Sequence, residues 1–423
     1  MSFYAATISI FILVFGVINI TRIVLFLVGS DIYGLQKQLA RKRYRPKGPL
    51  PSISVVIPAH NEEATILHSL RSVVSAGYPK EKLTVIVVDD GSRDRTAVLV
   101  KEYVCRLKLQ NVILVRQKRQ GKAHALNNGI RYHARGEIVM CLDGDSTIAS
   151  DALQNVARYF DDKRVVAIAA NVKIRAMHTL LNLVQRFEYV VSHQMKRALT
   201  VYNIEYIIGG VGSSFRRTAL RKVGYFDTDT LTEDIDLTMK FLQLGNKAHR
   251  VIYASDVVTY TESVLDIRGL IRQRFRWKYG RFQTFVKNAS LFFDRSGKNS
   301  KLLTWGYLPF AFIADFTFFF EPFMVSYIAY IILRYQDWAT LLAAVVVISS
   351  YITLNIIAED TIQWREKIVL VALAPSMYIL FYLLSIVEYI ALIRSYAQFK
   401  SVRASIGRGV SVWEHVERAA RST

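Results

Sequence analysis

The sequence predicts an α/β domain joined to membrane helices on both sides. Between residues 52 and about 260, short runs typical of buried strands alternate with segments of helical periodicity. Apolar runs long enough to cross a bilayer lie before and after that region. Of the 423 residues, 52% are hydrophobic and 21% are charged, which indicates that polar and apolar residues occupy separate blocks.

The first apolar run covers residues 5–29 and is interrupted only by Asn19 and Arg22. It has no basic n-region and no small-x-small cleavage site, so we predict an uncleaved anchor and not a signal peptide. The next segment, "QKQLARKRYRPKGP", is rich in Lys and Arg and therefore places the following domain in the cytoplasm. Further apolar runs cover 303–333, 339–358 and 368–393, so we expect a multi-pass protein of the cell (inner) membrane, with the lipid bilayer as a partner.

The direction of the C-terminal tail conflicts with a simple count of these runs. One span before the domain and three after it would leave "RSYAQFKSVRASIGRG" outside, although its positive charges favour the inside. Either the run 303–333, which Glu321-Pro322 interrupts, is not a simple span, or another run is re-entrant. We favour a cytoplasmic tail.

The α/β region opens with the strand "ISVVIP" and a helix within residues 62–77. A second strand, "KLTVIVVDD", precedes a helix near 94–106, and a third, "VILVRQ", precedes a helix that begins at Gly121. A fourth strand, "EIVMCLD", ends in acidic residues. This alternation predicts mostly parallel pairing, which gathers ligand-binding groups at the carboxyl ends of the strands.

Two carboxylates follow the fourth strand, because Asp143 and Asp145 flank Gly144. Both side chains can point into one crevice and offer the hard oxygen ligands that Mg²⁺ or Mn²⁺ prefers. Asp-Gly is also common in turns, so the triplet alone is a weak signal.

Residues at the ends of other strands strengthen the case for a metal and nucleotide site. Asp89 or Asp90 could accept hydrogen bonds from a base or a ribose, and "PAHNEE" supplies Ala59 and Glu62 after the first strand. Lys122, at a helix N-terminus, could neutralise a phosphate. The sequence contains neither G-x-G-x-x-G nor a P-loop motif, so we expect a nucleotide held through acids and a metal.

Two further features depend on charge and thiols. The formal net charge is +21, and "IRGLIRQRFRWKYGRFQTFVKN" interleaves basic and aromatic residues, which predicts a helix in the membrane interface with its cations toward headgroups. The same composition suits RNA, but such a helix beside membrane spans requires no nucleic acid, and we expect none as a partner. Cys105 and Cys141 lack metal-ligand spacing and are expected to be buried, reduced thiols.

Carboxylates gather in "TDTLTEDIDLTMKFLQLG", within this strongly basic chain. The acids are either the start of a helix, where the dipole favours them, or catalytic groups. The four concerned are Asp229, Glu233, Asp234 and Asp236.

Together these segments, over roughly residues 52–300, resemble the family 2 glycosyltransferases, and the resemblance implies a GT-A, Rossmann-like fold. "TEDIDL" matches the Thr-Glu-Asp motif of the family's processive membrane synthases. This implies that Asp234 is the general base and that Glu233 positions the acceptor or the base. A carboxylate within hydrogen-bond reach of a sugar hydroxyl can take its proton. Asp236 and Asp229 are assigned to the helix start.

Two more segments match the family. "QRFRW" fits its Gln-x-x-Arg-Trp signature, and "IGGVGSSFRRTAL" is similar to its acceptor-side loop. Many members follow Arg-Trp with Ala-Gln-Gly, whereas this chain has Lys278, Tyr279 and Gly280. The resemblance implies that Gln273 and Arg276 contact the diphosphate, that Trp277 stacks on the acceptor sugar, and that Gly210, Phe215 and Arg216 lie on the acceptor side.

Within the family the sequence is most similar to bacterial poly-N-acetylglucosamine synthases. This implies inverting, β-linked transfer of N-acetylglucosamine from a UDP-sugar to a growing polysaccharide, its export, and a small accessory membrane subunit as a partner. Hyaluronan- or chitin-type synthesis, or single transfer to a lipid-linked acceptor, are the alternatives. A transporter would instead use charged residues within the spans, and a basic RNA- or lipid-binding protein would not need the acids. Asp315, Glu321 and Glu388 are the charged residues that a transporter could use. Asp143, Asp145 and Asp234 are the acids that an enzyme would need and a binding protein would not.

The predicted division of the chain follows from these features. It comprises an anchor at 1–30, a basic linker at 31–51, a catalytic domain at 52–262, interfacial helices at 263–301, transmembrane helices at 302–394 and a basic tail at 395–423.

Overall fold

A computed structural model describes residues 3–43, 48–177, 179–399 and 402. Its centre is one eight-stranded sheet. The strands are β1 Ile53–Ala59, β2 Leu83–Asp90, β3 Val112–Gln117, β4 Ile138–Cys141, β5 Thr147–Ile148, β6 Val165–Ile174, β7 Ser213–Arg216 and β8 Arg250–Thr261. Their order across the sheet is β3-β2-β1-β4-β7-β6-β8-β5.

The four predicted strands and their parallel pairing are confirmed. β1 lies between β2 and β4, β3 flanks β2, and all of these pairs are parallel. The second half of the sheet is mixed, because β7 runs antiparallel to both β4 and β6, and β5 runs antiparallel to β8. Apolar β-branched runs form these strands because both faces of the sheet are covered by packed hydrophobic residues.

Fourteen α-helices occur in the described part of the chain. They are α1 Phe3–Arg43, α2 Ile66–Val74, α3 Thr96–Leu107, α4 Lys122–Asn128, α5 Ala152–Tyr159, α6 Leu180–Tyr202, α7 Arg217–Lys222, α8 Glu233–Gln243, α9 Ile267–Lys287, α10 Leu308–Thr317, α11 Glu321–Tyr335, α12 Trp338–Ala358, α13 Trp364–Leu373 and α14 Met377–Ala397. Cys141 is buried as expected, but the expectation for Cys105 is wrong, because this thiol is exposed on α3.

Helix α1 continues without a break across the predicted boundary at residue 30. Its 41 residues extend about 60 Å, roughly twice the hydrocarbon thickness, so the first part of the predicted 31–51 linker is helical. The helix packs on α6, where Tyr202 donates a hydrogen bond to the Leu25 carbonyl at 2.7 Å. Tyr33 donates to the Tyr253 carbonyl of β8 at 2.9 Å. The anchor is therefore fastened directly to the α/β domain.

Three helical segments are long and apolar enough to cross a membrane: Gly16–Lys42, Trp338–Ala358 and Trp364–Ala397. A fourth span is available if the bent pair Leu302–Phe316 and Glu321–Tyr335 counts as one. This pair bends by 64°, and α11 begins at the Glu321-Pro322 interruption seen in the sequence. Within the predicted tail, residues 400, 401 and 403–423 lie outside the described residues, so the side of the tail stays a prediction.

Helix α9 forms as predicted, but the expectation that its cations face headgroups is wrong for three of them. Arg274, Lys278 and Arg281 turn toward the protein and make ion pairs with carboxylates on other helices. Arg268 and Arg272, on the opposite side, are exposed as expected. The buried cations can stay charged because they have partners on α6, α10 and α14.

Candidate active site

The carboxyl ends of β1, β2 and β4 meet at one edge of the sheet and bring the predicted nucleotide-binding residues together. Ala59 ends β1 opposite Asp89 of β2, and Asp143 follows β4 by two residues. Glu62 reaches the same edge, because a Cβ placed on Gly144 would lie 3.1 Å from its Cγ. The parallel order of these strands therefore places "PAHNEE" beside the Asp-Gly-Asp turn.

Lys122 joins this edge to the "TEDIDL" segment. Its Nζ lies 2.6 Å from Asp143 Oδ1 and 3.6 Å from Glu233 Oε1. A Cβ on Gly210 would lie 3.0 Å from the same Nζ and 3.6 Å from Asp234 Oδ2. Carboxylates from two distant parts of the sequence thus converge on one largely buried ammonium group. Gly210 therefore lies beside Lys122 and Asp234, and its acceptor-side role stays a prediction.

A backbone turn before α4 presents this lysine. Gly121 adopts φ +101°, a conformation that L side chains rarely adopt, and Lys122 begins the helix immediately after it. Asp90 holds the turn, because its carboxylate accepts hydrogen bonds from the backbone N–H of Gln120 at 2.9 Å and of Gly121 at 2.7 Å. It also accepts one from Gln117 Nε2. Asp90 therefore positions Lys122, and its predicted contact with a base or ribose stays a prediction.

Asp234 has an unusual acidity for an aspartate. Burial and the negative charge of Glu233 raise its pKa to about 6, against the opposing effect of Lys122, the Ile235 N–H and Arg276. A carboxylate with a pKa near neutrality is suited to take a proton from a hydroxyl group at physiological pH. Because the positive charge of Arg276 is one of the groups that lower the pKa of Asp234, Arg276 lies close to this carboxylate.

Asp143 and Asp145 offer oxygen ligands of the type that Mg²⁺ or Mn²⁺ prefers. The short contact between Asp143 and Lys122 shows that this position favours positive charge. Asp145 accepts a hydrogen bond from Ser146 Oγ at 2.9 Å. Among the described residues, compact groups of three or more such ligands lie elsewhere, at Asp227, Asp229 and Asp236 and at His193, Glu359 and Asp360. A metal held by Asp143 and Asp145 would therefore take further ligands from water or phosphate.

The acceptor-side prediction for Phe215 and Arg216 is wrong. Phe215 is 2% exposed in the core and stacks on Phe241. Arg216 pairs in the sheet with Ile138, the first residue of β4, at the edge opposite Asp143, and donates to the backbone carbonyl of Phe160 at 2.8 Å. Because β7 runs antiparallel to β4, only the beginning of "IGGVGSSFRRTAL" reaches the site.

Asp236 lies in the first turn of α8, as predicted, and Asp229 precedes that helix, but Asp236 is not solvated. Asp236 is 0% exposed, and its Oδ2 lies 2.9 Å from Lys287 Nζ of α9. The same ammonium group lies 2.6 Å from both Asp229 and Asp227. Asp227 also pairs with Lys240 of α8. These ion pairs therefore connect α8 and the segment before it to α9. The sequence did not predict the role of Lys287, because this residue lies 51 positions from Asp236.

Helix α9 also packs closely against the segment that carries Asp234. A Cβ on Gly280 would lie 2.6 Å from Thr232 Cγ2 and 3.0 Å from the Thr232 nitrogen. The Leu231 N–H donates to Gln283 Oε1 at 2.9 Å. In the "QRFRW" motif, Trp277 is half-buried beneath the guanidinium of the preceding Arg274, and Gln273 is buried. The contacts of Trp277 with a sugar and of Gln273 with a diphosphate stay predictions. Gly280, a glycine inside a helix, is the only sequence signal for the close packing of α9 on Thr232.

We expect Gly280→Ala to lower activity at least tenfold, because the new methyl group forces Thr232 and the adjacent Asp234 to shift. The check is the initial transfer rate of the purified variant at saturating substrate. Gly306→Ala is the matched control, since its Cβ would meet only Leu302 Cδ1, at an ordinary 3.8 Å. Equal rates for the two variants would contradict the close packing of α9 on the segment that carries Asp234.

Comparison with known proteins agrees with this architecture. Residues 54–224 match the Glycosyl transferase family 2 model. A poly-beta-1,6-N-acetyl-D-glucosamine synthase of Staphylococcus epidermidis is 28% identical over 335 residues, which cover 74% of this chain and 78% of that protein. The synthase of the same name from Staphylococcus aureus strain COL is 32% identical over 243 residues, 56% of this chain and 57% of that protein.

One solved structure is similar over nearly the whole chain. The mannosyltransferase PcManGT from Pyrobaculum calidifontis, in complex with GDP-Man and Mn²⁺, superposes with a TM-score of 0.54 and 23% identity. The match covers 90% of this chain and 97% of that one. At this identity the likeness concerns the fold alone, and it agrees with the GT-A-like mixed sheet described above.

Proposed function

We propose that this chain, whose residues 54–224 form a family 2 glycosyltransferase domain, is a membrane-embedded inverting hexosyltransferase that makes a polysaccharide from a UDP-sugar. N-acetylglucosamine is the proposed sugar, because the similar staphylococcal proteins are named for that product. One observation carries the proposal: Lys122 lies between Asp143 and Glu233, beside Asp234, so strand-end acids and the Thr-Glu-Asp segment share one site. The proposed catalytic domain is residues 52–262.

In the proposed reaction, Asp234 takes the proton from an acceptor hydroxyl as that oxygen bonds to the anomeric carbon of the donor. The bond between the anomeric carbon and the diphosphate breaks on the opposite side, and its electron pair leaves with UDP. This displacement inverts the anomeric configuration. Glu233 helps to hold the acceptor and, by its charge, keeps Asp234 basic enough to act.

Other residues would hold the diphosphate. Asp143 and Asp145 would bind Mg²⁺ or Mn²⁺, which neutralises developing charge on the leaving UDP. Lys122 can leave Asp143 and neutralise a phosphate oxygen. Arg276 lies close to this site and supplies a second cation.

Exposed apolar surface supports the membrane location. Leu342, Val347 and Ile379 are 65%, 66% and 71% exposed on the candidate spans, which favours contact with lipid over water. We propose a multi-pass protein of the cell membrane, with interfacial helices at 263–301, transmembrane helices at 302–394 and the catalytic domain in the cytoplasm. Export of the polymer through this region is part of the proposal.

A cavity of about 560 Å³ beside the membrane helices supports a saccharide partner. It lies between the end of β6, helix α6 and the start of α13, and its lining combines tyrosines with polar and charged side chains. Aromatic faces bind the C–H faces of sugars, and amide and hydroxyl groups hydrogen-bond sugar hydroxyls. The residues of this kind are Asn171, Tyr189, Tyr260, Thr361 and Gln363.

Sugar transfer should increase with pH between about 5 and 7, with a midpoint near 6. The raised pKa keeps Asp234 protonated at the acid end of this range, and only its carboxylate form can accept the proton. The measurement is kcat/KM across pH with the nucleotide donor varied. Glu233→Gln should move the midpoint downward, because it removes one cause of the raised pKa. A flat profile through this interval would contradict the assignment of Asp234.

The function is tested by incubating the detergent-purified protein with UDP-N-acetylglucosamine, other UDP-sugars and GDP-mannose, each with Mn²⁺, with Mg²⁺ or with EDTA. We expect released UDP and a long product from UDP-N-acetylglucosamine, and loss of both with EDTA. Addition of one sugar per acceptor would favour the alternative of a single transfer to a lipid-linked acceptor. No transfer from any donor would overturn the proposal.

A further inference from the structure

We propose that a largely buried cluster of six charged side chains, which links α9 to the membrane helices, positions Trp277 and thereby sets the affinity for the acceptor sugar. The inference deepens the proposed function and rests on it. The α9 charge cluster consists of Arg274, Lys278 and Arg281 on α9, Glu188 on α6, Asp315 on α10 and Glu388 on α14.

The three cations of the cluster occupy one face of α9, because they are spaced by four and then three residues. Arg274 lies 2.6 Å from Glu188 and 3.4 Å from Glu388. Lys278 lies 3.0 Å from Glu388 and 2.9 Å from Asp315. Arg281 also pairs with Asp315. Asp315 and Glu388 therefore each bridge two cations of α9, whereas Glu188 pairs with one.

Burial makes this arrangement specific. The side chains of Arg274, Lys278 and Asp315 are only 3%, 7% and 5% exposed. A buried charge without a partner is costly, so rotating or sliding α9 would separate these opposite charges at a large cost in free energy. Three positive and three negative groups balance, and the other three side chains are partly exposed, Arg281 to 20%, Glu388 to 19% and Glu188 to 29%. The physical effect of the cluster is to define the orientation of α9 relative to α10 and α14.

The cluster reaches the "QRFRW" motif through Arg274. The guanidinium carbon of Arg274 lies 4.3 Å from the ring centroid of Trp277, so the indole is held by a cation that Glu188 and Glu388 fix in turn. On α9, Gly280 meets Thr232 beside the catalytic segment. The helix thus connects membrane-helix carboxylates to both Trp277 and the residue before Glu233.

The cluster also explains two sequence features. Lys278 stands where many family members have alanine, and the structure supplies its partners, Asp315 and Glu388. From the sequence, these two acids were candidates for residues that a transporter would need. In the structure both form ion pairs with cations of α9. We therefore assign Arg274, Lys278, Asp315 and Glu388 as positioning residues. They act through Trp277 and not on the donor.

The test compares Lys278→Gln, Glu388→Gln and the double variant in the full-length protein. The double variant leaves two intact pairs, Arg274 with Glu188 and Arg281 with Asp315, so it restores charge balance. Each is assayed for KM toward short N-acetylglucosamine oligomers, KM toward UDP-N-acetylglucosamine and UDP binding. Lys301→Gln, at an exposed lysine, is the control.

We expect each single variant to raise the acceptor KM about tenfold or more, with donor KM and UDP binding within about twofold of the unmodified protein. The double variant should recover most of the acceptor KM. A general structural fault would instead weaken donor and acceptor together and would not be relieved by the second substitution.

Two results separate the possible failures. If the unmodified protein transfers no sugar, the proposed function is overturned and this inference falls with it. If the unmodified protein is active and the single variants match it, or if the double variant is no better than the singles, the inference alone is overturned.

Discussion

Asp234→Asn is expected to lower sugar transfer by about 10²–10⁴-fold while UDP binding persists. The amide has nearly the same shape and can still accept the Ile235 N–H bond, which Asp234 Oδ1 accepts at 2.9 Å. It cannot take a proton from the acceptor hydroxyl. Steady-state rates with saturating donor, together with UDP binding by calorimetry, separate loss of the base from loss of the site.

Asp161→Asn, in the loop between α5 and β6, is a control for aspartate substitution away from the site, and it should behave as the unmodified protein. The remaining activity of Asp234→Asn should also lose the pH dependence near 6, because the group that titrates there is gone. A variant that retains more than about a tenth of the rate would contradict a general-base role.

Lys287→Met is expected to destabilise the folded protein by about 3–5 kcal/mol, because removing one partner of a buried ion pair leaves uncompensated charge. Here one ammonium group contacts Asp227, Asp229 and Asp236, and Asp236 is fully buried. Surrounding carboxylates raise the pKa of Lys287 strongly, so the lysine is charged over the whole physiological range. The measurement is the denaturation midpoint of the detergent-solubilised protein by intrinsic fluorescence.

Lys287→Arg keeps the charge and should preserve most of the stability, although the guanidinium fork cannot reproduce three contacts of one nitrogen. Lys163→Met, at an exposed lysine, serves as the surface control and should change stability little. If Lys287→Met were as stable as that control, the carboxylates would not depend on Lys287 for neutralisation. Such a result would point to another cation in this cluster.

The strands and several key residues were predictable from the sequence because their signals are local. Runs such as "ISVVIP" and "KLTVIVVDD" bury both faces of a strand, and their spacing with helices predicts parallel order. Parallel order in turn predicts that Asp143 and Asp90 reach the same edge. The bend at Glu321-Pro322 was also predictable, since proline disrupts a continuing helix.

Errors arose where the fold departs from the simple alternation. The antiparallel β7 places Phe215 in the core and Arg216 at the far edge, and no local pattern in "SSFRR" reveals the direction of a four-residue strand. The interfacial reading of α9 failed for Arg274, Lys278 and Arg281 for a related reason. A basic and aromatic helix has the same composition whether its cations face lipid headgroups or buried carboxylates.

The sequence by itself determined the α/β order and the apolar helices, because hydrophobic periodicity depends on neighbours in the chain. Strand-end chemistry singled out Asp143 and Asp145 as candidates, and the resemblance of "TEDIDL" to a family motif singled out Asp234. Only the tertiary structure decided which cation neutralises which acid. Lys122 with Asp143, Lys287 with Asp236, and Lys278 with Asp315 each join different elements of the fold. Such pairing depends on distance and burial in three dimensions, and the electrostatic energy of a charge cannot be assigned until its partners are known.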